Sequence, residues 1–384
     1  MSAILTLNAG SSSLKFGLYE SADGEPRLLR TGQVENIGAH ARLEISGGAT
    51  SEIGQADHNG AVIAILTSLG PILEGRAVLG VGHRIVHGGA DLRAPVVLTP
   101  EIIAKLREII PLVPLHQPHN LAAVAAAQAA FPRAIQVGCF DTAFHQGHPF
   151  VCDTYGLPRQ YYDEGIRRYG FHGLSYDYVS GVLRRDYPVL AAGKTVIAHL
   201  GNGASLCALK DGRSFSTTMG FSALDGIAMG TRPGQIDPGV LLYLMNRGMG
   251  YDDLTHLLYK ESGLKGMSGI SHDMRTLLAA DDPRAAEALD YYVHRIRREI
   301  AALAGEMGGI DGVVFTGGVG EHSTEMRRRI IEGLGFLGLD LDAQANAAAG
   351  PRIGTGRAEV LVIPTDEEQV IARAVAAQLK DSAG

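Results

Sequence analysis

The chain has 384 residues, 46% of them hydrophobic and 20% charged, which excludes wholesale disorder and leaves room for two cores of ordinary domain size. A formal net charge of −7 argues against a general electrostatic grip on nucleic acid, so any bound anion must be held by local basic residues. The absence of Trp and an aromatic content of only 6% argue against a base-stacking platform.

From the N-terminus, MSAILTLNAGSSSLKF has neither a positive leader nor an apolar signal core, and no later stretch approaches the ~20 apolar residues that span a bilayer. A cytoplasmic protein without a membrane partner is the expectation. Residues 3–19 form an apolar run, a Gly/Ser/Asn turn and a second apolar run, which reads as a β-hairpin. Residues 41–60, rich in Gly, Ser and polar groups, read as a peripheral excursion. A buried strand is predicted at 78–82. Thr99-Pro100-Glu101 starts a helix whose apolar face is Ile102, Ile103, Leu106, Ile109 and Ile110, and which stops at Pro111. An Ala-rich helix at about 120–131 precedes a strand at 135–140.

A domain boundary is placed near residue 150. Beyond it a helix is predicted at 174–185, and residues 195–209 then repeat the hairpin pattern of 3–19. Further helices are predicted at 284–308, 323–334 and 366–379, with strands at 312–316 and 359–363. Residues 342–357 read as a second excursion. The alternation implies α/β layers, and the repeated hairpin implies a duplicated two-domain chain. Cys139, Cys152 and Cys207 are widely spaced with no C-x-x-C, so reduced core thiols are expected rather than disulfides or a zinc knuckle.

In open α/β sheets ligands bind beyond the carboxyl ends of strands, and those ends are dense in polar residues here. Asn8 to Lys15 offer a carboxamide, three hydroxyls and an ammonium in one bend, suited to phosphate or to a plain solvated hairpin. Arg84 in GHRIVHGG offers a planar fork for a carboxylate or phosphate. Asp141, following a strand, suits nucleophile orientation, Mg²⁺ binding through water, or an N-cap. His172 lies between Phe171 and Gly173, and Arg232 is fixed in a Gly/Pro-constrained loop, which lowers the entropy cost of aiming a charge at a migrating phosphoryl group. The glycines of 317–320 leave flat backbone on which a nucleoside could lie. Thr365 and Glu368 form a T-x-x-E capping box, leaving Asp366 and Glu367 as first-turn acids or metal-site acids.

Other motifs fail. Gly193-Lys194-Thr195 lacks the first P-loop glycine, because Pro188 stands there; Gly201-Asn202-Gly203 runs to Leu206 where a dinucleotide fingerprint needs a small residue; and no G-x-S-x-G occurs. The H-x-x-H pairs His116/His119 and His145/His148 lie beside Pro or Gly, away from any H-E-x-x-H helix, so zinc is disfavoured.

Taken together and in order, NAGSSSLKF, GHRIVHGG, PLHQPHN, FDTAFH, YGFHG, HLGNGAS, MGFSALDG, MGTRPGQIDPG, FTGGVGEHS and IPTDEE resemble the acetokinase family of the sugar kinase, Hsp70 and actin superfamily. The resemblance implies two ribonuclease H-like α/β domains with a nucleotide cleft between them, residues 1–150 joined by the helix at about 366–380, and residues 151–365. It implies reversible phosphoryl transfer from MgATP to acetate, giving ADP and acetyl phosphate, with Mn²⁺ able to replace Mg²⁺, in a homodimer. Closure around nucleotide is expected, since excluding water prevents hydrolysis. By the same resemblance Asn8 and Glu367 match the magnesium positions, and Ser11, Ser13 and Lys15 the first phosphate turn. Arg84 matches the carboxylate-binding arginine, Asp141 the catalytic acid, and His172 with Arg232 the pair that stabilises the transition state. His199, Leu200, Gly201, Asn202 and Gly203 match a phosphate-side loop. Asp273, Met274 and Arg275, with Gly318, Val319, Gly320, Glu321 and His322, match the nucleoside pocket. Val86, Leu115, Phe171 and Ala223 are expected to line a small acyl pocket.

The chain departs from the family pattern at Ala223 and His119, where many members have Pro, and at Asp366, where Asn is frequent. Propionate or another short-chain acid is therefore an alternative acceptor. An ATP-driven binding protein resembling Hsp70 or actin is the reading from another class, though Arg84 and Arg232 have no evident purpose in it.

Overall fold

The computed structural model describes residues 2–10, 12–21, 24–48, 50–348 and 350–381. The chain folds as two compact units, residues 1–144 with 366–384, and residues 145–365.

In the first unit the apolar runs become β1 (Ser2–Ala9) and β2 (Leu14–Ser21), an antiparallel hairpin in which Asn8 opposes Lys15. They are joined by β3 (Arg27–Glu35), β4 (Gly38–Ile45), β5 (Ser51–Ala56), β6 (Ala77–Ile85), β7 (Val96–Val97) and β8 (Ile135–Phe140), in the order β5-β4-β3-β2-β1-β6-β8-β7. β1, β6 and β8 run parallel. The expected excursion over 41–60 is corrected: β4 and β5 extend the sheet to its edge. Ala41 and Leu43 alternate with exposed neighbours, so a strand with one solvated face had the composition of a loop.

The helices His58–Leu73 and Gln117–Ala130 pack on one face with Leu5, Leu7, Phe16 and Val81. The helix Glu367–Asp381 packs against β6, β1 and β8. Strand alternation turns Gly80 and Gly82 toward that last helix. A Cβ at Gly80 would overlap Val375 Cγ1, and one at Gly82 would overlap Ile371 Cγ2 and stand 2.7 Å from Val375 Cγ2. These glycines let the helix lie directly on β6.

In the second unit β9 (Lys194–Leu200), β10 (Ala204–Lys210), β11 (Arg213–Thr217), β12 (Gly312–Thr316) and β13 (Glu359–Val362) take the order β11-β10-β9-β12-β13. The β9–β10–β11 meander is antiparallel, and β9, β12 and β13 are parallel. This repeats β3-β2-β1-β6-β8 in order and direction, so each unit is a ribonuclease H-like α/β layer. The helix Pro283–Met307, N-capped by Asp282, covers the sheet with Leu289, Val293, Ile296, Ile300 and Leu303. The helices Pro238–Asn246 and Tyr251–Lys260 bury no residue. Among the described residues no helix is long and apolar enough to cross a membrane.

Candidate functional site

In the first unit three strand ends converge. Asn8 and Arg84 are register partners on β1 and β6, and Asp141 follows β8. Asp141 is 1% exposed. Arg84 Nε donates to both Asp141 carboxylate oxygens at 3.1 Å, and Nη2 donates to Oδ2 at 2.6 Å. Arg84 Nη1 donates to Asn8 Oδ1 at 3.1 Å, and Asn8 Nδ2 donates to Glu367 Oε2 at 3.1 Å and Glu368 Oε1 at 3.5 Å. Of the five guanidinium N–H groups, these bonds leave one on each terminal nitrogen for an incoming anion. Burial works against the Arg84 charge, but Asp141, Glu367 and Glu368 outweigh it and hold its pKa above the ordinary value.

The capping box expected at Thr365 and Glu368 is corrected. Asp366 Oδ1 accepts from Gln369 N at 2.9 Å, whereas Thr365 Oγ1 is buried without a hydrogen-bond partner. Glu368 is thereby released toward Asn8. Burial, then repulsion from Glu367, pushes its carboxyl pKa up, and a cation nearby would relieve both effects. The Glu367 and Glu368 carboxylates are hard oxygen donors of the kind Mg²⁺ takes, while Asn8 turns its Nδ2 to them and its Oδ1 to Arg84. Among the described residues no three His, Cys, Asp or Glu are grouped so as to hold a metal ion.

Around these residues, Gly10 N donates to the Ser13 carbonyl at 2.8 Å and closes the first turn, and Lys15 is exposed. Ser11 lies outside the described residues. Val86 is buried and Leu115 half-buried. The PLHQPHN segment supplies supports to which its sequence assigned no role. Asn120 Nδ2 donates to the Ala9 carbonyl at 2.8 Å while its Oδ1 accepts from Val86 N at 3.0 Å, and Gln117 Nε2 donates to the His87 carbonyl at 3.0 Å. Two buried carboxamides thus tie the ends of β1 and β6 to one helix. His119 stacks on His58, with centroids 4.8 Å apart.

In the second unit His172 occupies a left-handed backbone conformation, φ +57°, and starts the helix Gly173–Asp186. Its Nδ1 lies 2.9 Å from Ser205 Oγ, and its ring stacks on His199 at 4.4 Å, whose Nδ1 lies 2.8 Å from Ser175 Oγ. A Cβ built on Gly203 would stand 2.7 Å from Arg232 Nη2 and 3.2 Å from His172 Nε2, so both side chains converge on one glycine of the β9–β10 turn. Arg232 Nη1 donates to the Ala223 carbonyl at 2.7 Å. The Arg232 loop is held by backbone bonds from Ser262, Leu264 and Lys265 to Thr231, Met229 and Gly230. Gly201 N bonds the Gly203 carbonyl, and Gly230 N bonds the Asn202 carbonyl. Leu200, Phe171 and Ala223 are buried.

The other nucleoside-side expectations fall on two short helices. Asp273 caps Met274–Ala279 and pairs with exposed Arg275 at 3.0 Å. The glycine stretch after β12 is not flat backbone but the helix Gly317–His322. Glu321 Oε1 accepts from Gly317 N at 2.8 Å and Thr365 N at 3.2 Å, Gly318 and His322 are exposed, and a Cβ at Gly318 would meet open space. Val319 is half-buried and Gly320 buried. Buried Arg327 donates to the carbonyls of Gly320 and Glu321, both at 2.8 Å, and fixes the end of that helix.

The sequence profile described as the acetokinase family matches residues 3–373. An acetate kinase of Methylocella silvestris is 48% identical, over 99% of this chain and 98% of that protein. The crystal structure of Porphyromonas gingivalis acetate kinase superposes with a TM-score of 0.87 at 38% identity, covering 99% of this chain and 100% of that one. A propionate kinase structure from Francisella tularensis gives 0.90 at 34% identity, covering 97% and 99%.

Proposed function

The chain belongs to the acetokinase family, and from that premise we propose that it is an acetate kinase, transferring the γ-phosphoryl group of MgATP reversibly to acetate. The observation that carries this reading is the convergence of Arg232 and His172 on Gly203, two donors aimed from rigid backbone, as a planar phosphoryl group in flight requires. Acetate is already a nucleophile at pH 7, so no general base is needed; the obstacle is the approach of two anions. Arg84 offers one N–H from each terminal nitrogen to the acetate carboxylate. Arg84 donates to both Asp141 oxygens, so Asp141 is assigned to orienting that guanidinium, and the reaction asks it to remove no proton. Asn8, Glu367 and Glu368 would hold Mg²⁺, which when bound neutralises phosphate charge. One acetate oxygen bonds phosphorus in line as the bond to ADP breaks, and the electron pair leaves with ADP.

The same proposal assigns Lys15, Ser11, Ser13 and the 199–203 loop to phosphates, and 273–275 with 318–322 to the nucleoside. Val86, Leu115, Phe171 and Ala223 are assigned to the methyl group. The reduced thiols of Cys139, Cys152 and Cys207 support a cytoplasmic location. A homodimer is supported by the helix Pro238–Asn246, which exposes the large apolar side chains Leu242, Tyr243 and Met245. The likeness to a propionate kinase keeps propionate as the second acceptor. ADP release from MgATP that depends on added acetate tests the assignment; vigorous ATP hydrolysis indifferent to every carboxylic acid would contradict it and favour an ATP-driven binding protein.

A further inference from the structure

The second unit buries a polar cluster that this transfer chemistry does not use. His145 and His148 are both buried, with ring centroids 5.7 Å apart. His145 Nε2 lies 2.9 Å from the Phe171 carbonyl oxygen and its Nδ1 lies 2.8 Å from Ser214 Oγ. His148 Nε2 lies 2.7 Å from the same hydroxyl, and its Nδ1 lies 3.1 Å from Asp153 Oδ1. Cys207 Sγ approaches Ser214 Oγ at 3.3 Å.

Hydrogen counting sets the direction at both ends of this chain. A carbonyl only accepts, so His145 Nε2 donates to Phe171. Burial first, then His148, pushes the His145 imidazole down to about 3; the ring is neutral at pH 7, and its Nδ1 is an acceptor that faces Ser214 Oγ at 2.8 Å and Cys207 Sγ at 4.0 Å. The Ser214 hydroxyl, with one hydrogen and two lone pairs, bridges the two rings, since His148 Nε2 lies 2.7 Å from it. The Asp153 carboxylate also only accepts, so His148 Nδ1 donates as well. His148 thus ties the chain to Asp153 through Nδ1.

The chain of donors ends on the peptide group that leads into His172. That turn also presses on the His145 ring: Gly170 has φ +75°, and a Cβ there would stand 2.6 Å from His145 Cδ2. A non-glycine residue at φ +57° persists only where its surroundings over-determine it, and these bonds supply that constraint. We propose that His145, Ser214, His148 and Asp153 are positioning residues that hold the Phe171–His172 turn, so that His172 is presented to the transferred phosphoryl group. The role assigned to His172 rests on the acyl-kinase reading above.

Two measurements on the full-length protein test this. With ¹⁵N-labelled imidazoles, ¹H–¹⁵N correlation at pH 7 is expected to show His145 hydrogenated on Nε2 alone and His148 hydrogenated on Nδ1. A His145 hydrogen on Nδ1, or no hydrogen on His148 Nδ1, overturns the arrangement whatever the activity. In steady-state kinetics Ser214→Ala is expected to lower kcat about tenfold with KM for ATP unchanged, and Ser214→Thr to restore it. Wild-type kcat in Ser214→Ala, or a loss that follows only the folded fraction and is not restored by Thr, overturns the positioning role. Should the wild-type protein form no acyl phosphate, the acyl-kinase reading fails, and the imidazole spectra still decide the hydrogen-bond direction.

Discussion

Arg232 and Asp141 carry different parts of the proposed chemistry, and their variants separate. Arg232 acts on charge that develops in the transition state, so Arg232→Ala is expected to lose roughly 10²-fold or more in kcat with little change in either KM; a change confined to KM in initial-rate measurements would place it in ground-state binding. Asp141 fixes the orientation of Arg84 through three hydrogen bonds. Asp141→Ala frees a guanidinium that acetate must find, so kcat is expected to fall steeply and acetate KM to rise, and near-normal turnover would remove Asp141 from the reaction. Asn8, Arg84 and Asp141 stood out in the sequence because polar residues at apolar strand ends are a local signal. Glu368 was hidden behind a capping pattern, since which side chain caps a helix depends on the direction from which the chain enters it. Here Asp366 takes that place. The roles of Asn120 and Gln117 were illegible for a related reason: their partners, the Ala9 and His87 carbonyls, lie 111 and 30 residues away.

At the scale of elements, the hairpins, the parallel strands and most of the long helices followed from apolar period and end signals, but His58–Leu73, whose start fell inside the expected excursion, was not read as a helix. Helix Pro238–Asn246 did not, because PGVLLYLMN is apolar on every side and has no period to read. The seam between β6 and the final helix shows what a two-residue glycine pattern accomplishes. Gly82→Ala would drive a methyl group into Ile371 and Val375, and over-packing of this kind costs about 1–3 kcal/mol. Since that helix begins at Glu367, thermal unfolding is expected at a lower temperature, with weaker Mg²⁺ dependence of the rate. An unchanged Tm would show that the helix shifts without cost.

For the whole molecule, acid sensitivity follows from buried neutral histidines. Burial pushes His83 and His87 down to about 4 and His145 to about 3, against an ordinary value of 6.5. The unfolded chain therefore binds more protons below pH 6.5. The stability these rings confer is complete above that pH and is lost as pH falls toward 4 and then 3, at up to about 1.4 kcal/mol per pH unit for each histidine. Urea unfolding midpoints are expected to drop between pH 7 and 5; a flat profile would mean that these rings ionise in the folded state. The duplication was visible as two similar glycine hairpins, and the common strand order of the two sheets explains them. Acceptor preference was not visible, because one or two methylenes are worth only about 1–3 kcal/mol in discrimination.

The most direct measurement is acyl hydroxamate formation from MgATP and hydroxylamine with acetate, propionate and butyrate supplied separately over a concentration range. Acetate is predicted to give the highest kcat/KM. Preference for a longer acid would contradict the assigned acceptor, and no hydroxamate with any acid would contradict carboxyl phosphorylation itself.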